Sequence, residues 1–361
     1  MNEDVVTLGA IGLGGLAQRE LALCEELDNV DIVAGADPAA DGREAFTKAH
    51  GGEVYQDCTS LLNEHGDALD AVTIVTPHTL HFDQAMEALD YDLDIFLEKP
   101  MVTDISDAVQ LVDRINATDQ TLQVGYQRHF HPAYQKIKAL IDDGAIGDLH
   151  TVNCFLGQDW IRRFDSAWRS NPDLSGGGQL YDSGSHLLDT LLWTTGTLPQ
   201  TVAATMDYRQ HECDVNSSLA IELERNGNPV TASVSVTADG TSTSGTEEGL
   251  FIWGTDGRLS FTKSGLTRHG KGEGERDTAE KIPVETDPSF EMLAQKKLEN
   301  FFDAVRANDE PAVSGEYGLQ VTALTEAAYR AADSGQRAHV QHLIDTARSE
   351  TVQSAQVEGD D

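Results

Sequence analysis

Basic residues are scarce in this 361-residue chain: 25 Lys and Arg stand against 61 Asp and Glu, a formal net charge of −36. The acids are spread along the chain rather than gathered in one tail. Polyanions are repelled by such a surface, which argues against nucleic acid and anionic membranes as partners. An anionic ligand must then be held by a local exception, such as a helix N-terminus or a single Lys or Arg. The imbalance is self-repulsive at low ionic strength and relieved by salt, the expectation for a protein of a salt-rich cytoplasm. Cysteine is also rare: Cys24, Cys58, Cys154 and Cys213 are far apart and form no CxxC pair. That spacing excludes a zinc ribbon or a disulfide framework and suits small buried hydrophobes in a reducing compartment. The histidines form no HxxxH or HExxH pattern with acids or cysteines at ligand spacing, although His129 and His131 are close, so no metal is expected. No apolar run approaches a membrane span, and Met1 to Val5 carries no basic segment leading into an apolar one. A cytoplasmic location is expected.

What is present is room for two domains with substantial cores, 39% of the residues being hydrophobic. Short apolar runs at Val5 to Ile11, Ile32 to Ala36, Ala71 to Val75, Ile95 to Leu97 and Leu122 to Val124 read as strands. Helical patterns separate most of them, at Leu16 to Leu27, Arg43 to His50, His81 to Leu89 and Ser106 to Ile115. This alternation predicts a doubly wound parallel sheet, α/β in class, with ligands gathering at the carboxyl ends of its strands. Gly12, Asp37, Thr76-Pro77 and Glu98-Lys99-Pro100 all fall at those ends. The turn Gly12-Leu13-Gly14-Gly15-Leu16-Ala17 predicts a pyrophosphate site: Gly12 makes the turn, Gly14 permits close approach, and small Ala17 lets the helix pack on the strand. Asp37 sits near the spacing expected for a carboxylate that accepts from an adenosine ribose and favours NAD, whereas nearby Arg43 leaves NADP open.

After Tyr126 the pattern changes. Pro132 to Ile141 reads as a helix and His150 to Leu156 as a strand; Gln200 to Tyr208, Ser217 to Leu223, Val230 to Thr237, Gly249 to Gly254 and Arg258 to Phe261 read as further strands of a largely antiparallel sheet. Helices are expected over Phe290 to Arg306 and Leu319 to Ala332. The expected organisation is a cofactor domain over 1–125, an α+β substrate-binding domain over 126–350 and an acidic, frayed tail over 351–361.

The chemistry is suggested by Gly176-Gly177-Gly178 through Asp189, in which Asp182 and His186 are four residues apart. On a helix over 183–195 both side chains share one face and address one substrate hydroxyl, and the glycines before them let backbone pass close to a ligand. His186 is the better general base because an imidazole titrates near neutrality; Asp182 orients the substrate or tunes that base, and the Lys99 ammonium hydrogen-bonds the reacting oxygen. Pro100 stands where a cis peptide aims a side chain into a site, an isomer that sequence leaves open. Trp160, Arg163, Trp168 and Arg169 precede the glycine run; indole faces suit the apolar side of a sugar ring and guanidinium forks suit hydroxyls or a carboxylate.

Taken in order, Gly12 to Ala17, Thr76-Pro77-His78-Thr79-Leu80-His81, Glu98-Lys99-Pro100, Gly125-Tyr126-Gln127-Arg128, Gly176 to Asp189 and Ser314 to Leu319 resemble the glucose-fructose oxidoreductase and inositol dehydrogenase family, Gfo/Idh/MocA. The resemblance spans nearly the whole chain. It implies an N-terminal Rossmann domain, a C-terminal domain with an open sheet used in oligomer contacts (a homodimer or homotetramer), and NAD(P)-dependent oxidation of a sugar or cyclitol hydroxyl. Lys99, Asp182 and His186 fall on the family's catalytic positions. The cofactor side is expected to draw on Gly12, Gly14, Gly15, Leu16, Ala17, Asp37, Arg43, Thr76, Pro77, His81, Glu98, Lys99 and Gln127. The substrate side is expected to draw on Lys99, Arg128, Trp160, Arg163, Trp168, Arg169, Asp182 and His186. The chain departs from the family at His78, where many members carry Asn, and at His129 and His131, where Arg and Asp are frequent. Two other readings stay open: an NAD-dependent glycosidase with an internal redox cycle, and a non-catalytic sugar or nucleotide sensor.

Overall fold

The computed structural model describes residues 5–27, 29–164, 167–239, 245–271 and 277–358. Its first strands, β1 (Val6–Ile11), β2 (Val30–Ala36), β3 (Glu53–Tyr55), β4 (Ala71–Ile74), β5 (Asp94–Leu97) and β6 (Leu122–Val124), form a parallel sheet in the order β3-β2-β1-β4-β5-β6. Five helices alternate with them: α1 (Gly15–Cys24), α2 (Ala40–His50), α3 (Cys58–His65), α4 (His81–Leu89) and α5 (Ile105–Asn116). β4 and β6 are buried along their whole length, as parallel strands covered on both faces must be. The strand order reverses between β1 and β4, so the loops leaving these two strands diverge and open a crevice at their carboxyl ends.

The chain continues through α6 (Pro132–Asp142), β7 (Leu149–Gly157), α7 (Trp160–Phe164), α8 (Pro172–Ser175), a π-helical turn over Leu180–Gly184 and α9 (Ser185–Thr195). Seven strands follow: β8 (Leu198–Asp207), β9 (Asn216–Arg225), β10 (Asn228–Thr237), β11 (Glu247–Gly254), β12 (Gly257–Thr262), β13 (Gly265–Lys271) and β14 (Asp277–Ile282). The chain ends with α10 (Phe290–Ala307), α11 (Gly315–Ser334), β15 (Ala338–His339) and α12 (Val340–Glu358). The second sheet runs β14-β13-β12-β11-β7-β10-β9-β8-β15 and is antiparallel except where β7 lies parallel to β10. Strict alternation sets its faces: Val230, Ala232, Val234 and Val236 of β10 point into the core with Leu219, Ile221 and Leu223 of β9, while Thr231, Ser233 and Ser235 point out.

The chain divides into two compact units. One comprises Met1–Thr103, Asp107–Gln127 and Ser289–Leu319; the other comprises Asp104–Ser106, Arg128–Pro288 and Gln320–Asp361. The first therefore holds 289–319 in addition to the region expected from the N-terminal pattern. Leu298, Phe301 and Phe302 of α10 complete the core formed by Val6, Leu8, Leu21, Phe46 and Phe96. Each buried phenyl ring contributes roughly 1.5–3 kcal/mol by leaving water.

Three local features differ from the sequence reading. β13 and β14 lie at the sheet edge and were not expected, because Gly265–Lys271 and Asp277–Ile282 carry too few apolar residues, Leu266, Ala279 and Ile282, to show an alternating pattern. The helix expected over 183–195 begins at Ser185, and the five residues before it form the π turn. Finally, the backbone of α12 stays helical to Glu358 through most of the stretch expected to fray, and 359–361 lie outside the described residues.

Candidate functional site

The first unit gathers its ligand-facing residues at the carboxyl ends of β1, β2, β4 and β5. Gly12 has φ +88°, and a Cβ there would lie 2.4 Å from the Val75 carbonyl oxygen, so the turn admits only glycine. A Cβ at Gly14 or Gly15 would meet nothing within 4 Å. The first turn of α1 carries no acidic side chain, and Gly14 at its N-cap offers no side-chain acceptor, so its amides face open space uncompensated. Leu16 is half-buried and Ala17 buried, which seats the helix. The Asp37 carboxylate accepts from the Leu13 amide at 2.7 Å and the Ala39 amide at 2.8 Å, binding the end of β2 to the glycine turn. Arg43 donates to the carbonyls of Asp37 and Pro38 at 2.6 and 2.9 Å. An uncapped helix start over an open glycine cradle, with a carboxylate beside it, fits a dinucleotide.

At the β4 and β5 ends, Thr76 donates from its hydroxyl to Gln84 at 2.6 Å, and Pro77 leads into a short 3-10 turn. The Lys99-Pro100 peptide is cis. Glu98 is buried; one of its oxygens contacts the Lys297 ammonium and the other accepts from the Lys99 amide at 3.2 Å. His81, expected on the cofactor side, is completely buried, with Nδ1 2.9 Å from the Pro100 carbonyl oxygen and Nε2 3.1 Å from that of Thr76. Burial holds its pKa below the usual histidine range, and the ring sits between the Thr76 and Pro100 carbonyls instead of facing outward. Gln127 is half-buried on the 3-10 turn Gln127–Phe130 that follows β6.

In the second unit, Asp182 lies in the π turn and is 6% exposed, and His186 stands on the first turn of α9. The Trp160 indole N–H donates to Asp182 Oδ2 at 2.6 Å, and Arg169 Nε lies 3.5 Å from Oδ1. Trp160 is 1% exposed, so its ring is core rather than the sugar platform its position suggested; its function toward Asp182 is as a donor. The Arg169 guanidinium lies over the Trp168 ring at 4.3 Å, and Arg163 is exposed beside Phe164. The glycine run also behaves differently from the expectation of close ligand approach. A Cβ at Gly177 would meet the Tyr329 hydroxyl at 2.4 Å, and one at Gly178 the Asp214 carbonyl at 2.3 Å, so the space is filled by the protein itself. Asp214, wholly buried, accepts from the amides of Gly178 and Leu180 at 2.7 and 2.9 Å, from Ser217 at 3.2 Å and from the Tyr329 hydroxyl. Those bonds fix the turn that presents Asp182.

Over residues 6–126 the chain matches the model of the oxidoreductase family with an NAD-binding Rossmann fold, and over 134–260 that of the GFO/IDH/MocA C-terminal domain. It is 30% identical over 270 residues to the rhizopine catabolism protein MocA of Rhizobium meliloti, covering 70% of this chain and 81% of that one. It is also 30% identical over 329 residues to the D-xylose 1-dehydrogenase [NADP(+)] of Haloarcula marismortui, covering 86% and 85%. The chain belongs to the Gfo/Idh/MocA family of oxidoreductases. Among solved structures, the WlbA dehydrogenase of Bordetella pertussis in complex with NADH and UDP-GlcNAcA superposes with a TM-score of 0.81 at 22% identity, covering 94% of this chain and 99% of that one.

In this Gfo/Idh/MocA protein, Arg128, expected on the substrate side, has internal partners: Glu248 at 2.6 Å, the Thr190 hydroxyl at 3.3 Å and the face of Tyr134. Burial opposes its charge, yet Glu248 keeps its pKa above the ordinary value. Glu248 is itself opposed by burial and held below the usual carboxyl range by Arg128 and Tyr134. Two of the three histidines at which the chain departs from the family are packed beside this group. His131 caps α6 by accepting from the Ala133 amide at 3.1 Å, its pKa pushed down to about 4 by burial and by Arg128. His129 bonds Asp189 at 2.7 Å and stacks on Trp193. The sequence reading missed Asp214, Tyr329, Glu20 and Lys297. For the last two a signal existed: each is a charge on the apolar stripe of its helix, Glu20 among Ala17, Leu21 and Cys24, and Lys297 among Leu293, Ala294, Leu298 and Phe301. Among the described residues no His/Cys/Asp/Glu group is placed to hold a metal, and no helix is long and apolar enough to cross a membrane.

Proposed function

We propose that this oxidoreductase is a cytoplasmic NAD(P)-dependent dehydrogenase that oxidises a hydroxyl-bearing carbon of a sugar, sugar acid or cyclitol. The observation that carries the reading is the Asp182 carboxylate, nearly buried and held by Trp160 and Arg169 four residues before His186. Nature seldom buries a carboxylate without giving it work in orientation or proton transfer. His186 takes the hydroxyl proton as the C–H bond breaks, Asp182 fixes the hydroxyl or the imidazole, and the Lys99 ammonium hydrogen-bonds the oxygen as it becomes a carbonyl. A dinucleotide whose pyrophosphate is held by the Gly12 to Ala17 turn would supply its nicotinamide as the hydride acceptor. Substrate class is supported by relatives named as dehydrogenases of D-xylose and of inositol. Asp37 at the end of β2 supports NAD over NADP, since a 2′-phosphate beside that carboxylate would be repelled. A second copy of the chain is proposed to cover the open face of the larger sheet, where Phe155 is 37% exposed and Phe251 and Trp253 stack 6.2 Å apart.

Reduced-nicotinamide absorbance tests the proposal directly, with NAD and NADP offered separately against aldoses, sugar acids and inositols in molar KCl. A signal that disappears in Lys99→Ala is the expected result. Silence across the panel from folded protein that still binds NADH would overturn it in favour of an internal redox cycle or a sensor.

A further inference from the structure

Three ionisable side chains from distant segments meet in the interior of the first unit. Lys297 of α10, 2% exposed, places Nζ 2.7 Å from Glu20 Oε1 of α1 and against Glu98 Oε1 at the end of β5. The ammonium also lies 5.0 Å from the Phe96 ring centroid, and the Lys297 carbonyl accepts from Gln123 Nε2 at 2.7 Å. Buried ion groups are expensive, and apolar side chains of similar volume at all three positions would pack here without desolvating any charge. Stability alone therefore does not account for the cluster. Its attachment does: Glu98 uses one oxygen on Lys297 and the other on the backbone amide of Lys99. The carboxylate is confined on a further side, since a Cβ at Gly125 would lie 2.4 Å from Glu98 Oε1.

We infer that Lys297 is a positioning residue that, through Glu98, fixes the backbone from which Lys99 projects. The inference rests on the proposed role of Lys99. Two carboxylates share one ammonium, so Glu20 is the excess acid; burial pushes its pKa up to about 7 against the attraction of Lys297. The groups facing the ammonium are Glu20 from α1, Glu98 from the end of β5 and the Phe96 ring from β5, with the Cys24 thiol of α1 beside them, its pKa raised by burial and then by Glu20.

Lys297→Met, Glu20→Gln and Lys99→Ala test this in the full-length protein, by kcat and substrate KM from pH 6 to 9 and by NADH affinity and thermal unfolding over the same range. In Lys297→Met, kcat is expected to fall at least tenfold at pH 8.5 with KM within threefold. The deficit narrows toward pH 6, where Glu20, whose pKa is raised by burial and by Glu98, takes up a proton that it can donate to Glu98 in place of the lost ammonium. Glu20→Gln leaves Lys297 and Glu98 as a one-to-one pair and is expected to keep kcat within threefold and to melt no lower at pH 8. A folded Lys297→Met with wild-type kcat, or with a loss that does not vary with pH, overturns the inference. If Lys297→Met does not fold, Glu20→Gln decides: a tenfold loss of kcat there overturns it, because the ammonium still holds Glu98. Retained turnover in Lys99→Ala would unseat the proposed function itself, whereas an inactive Lys99→Ala beside a wild-type-like Lys297→Met would unseat this inference alone.

Discussion

Trp160→Phe removes from the candidate site the N–H that Asp182 accepts. The indole nitrogen donates to Asp182 Oδ2 at 2.6 Å, both residues are buried, and Arg169 Nε lies 3.5 Å from the other carboxylate oxygen. A hydrogen bond to a charged group contributes about 1.5–3 kcal/mol, so losing this one in a water-poor setting lets Asp182 rotate and is expected to lower kcat/KM about 10- to 150-fold. The smaller ring also leaves a void, which costs stability without touching Asp182. A double-mutant cycle separates the two effects. Trp160→Phe, Asp182→Ala and the combination are compared by kcat/KM and by unfolding free energy, alanine having no acceptor for the indole N–H. The void term appears equally in both backgrounds and cancels, while the hydrogen-bond term exists only where Asp182 is present. A coupling of at least about 1.5 kcal/mol is therefore expected in kcat/KM. Strictly additive losses would refute the reasoning, since they would mean that the indole N–H contributes nothing specific to the carboxylate.

Gly14→Val should fold normally, since a Cβ there meets nothing within 4 Å, yet lose NADH binding by filling the phosphate cradle; unchanged affinity on titration with NADH would contradict the dinucleotide site. The net charge of −36 predicts an unfolding temperature that climbs with KCl up to molar concentrations, where the Debye length shrinks to about 3 Å, and a flat response would remove the salt-adaptation reading. For His131, the folded pKa of about 4 lies below the unfolded value of 6.5, so its contribution is fully present above pH 6.5 and is lost as pH falls toward 4. That window corresponds to about 3 kcal/mol, and a His131→Gln variant should show a visibly shallower fall in unfolding free energy across it.

The sheet of the first unit was legible because parallel strands buried on both faces are continuous apolar runs, and because glycine and charge punctuate their carboxyl ends. Lys99, Asp182 and His186 stand out as candidates for a related reason: each sits inside a short motif whose members are adjacent in sequence. What supports them is not. Trp160 lies 22 residues from Asp182, Asp214 lies 115 from Tyr329, and Glu98 lies 199 from Lys297. Nothing local in Glu212-Cys213-Asp214-Val215 reveals that the carboxylate will receive the amides of the glycine run. The assignment of α10 to the first unit was hidden for the same reason, since its apolar stripe states that it packs but not on what.

The two glycine clusters show how identical composition encodes opposite physics. Around Gly14 and Gly15 the missing side chains leave volume open, and the uncapped start of α1 points amides into it. At Gly177 and Gly178 the missing side chains admit Tyr329 and Asp214, which close the volume and lock the π turn bearing Asp182. Substitution should therefore separate them: alanine at Gly178 collides with the Asp214 backbone at 2.3 Å and must disturb the fold before it disturbs any ligand, whereas valine at Gly14 acts on the ligand alone. A Gly178→Ala variant that melted like the wild type while losing turnover would mean that this turn is shaped for substrate rather than by Asp214 and Tyr329. The expected outcome is the reverse, a loss of unfolding temperature that accompanies and accounts for the loss of activity.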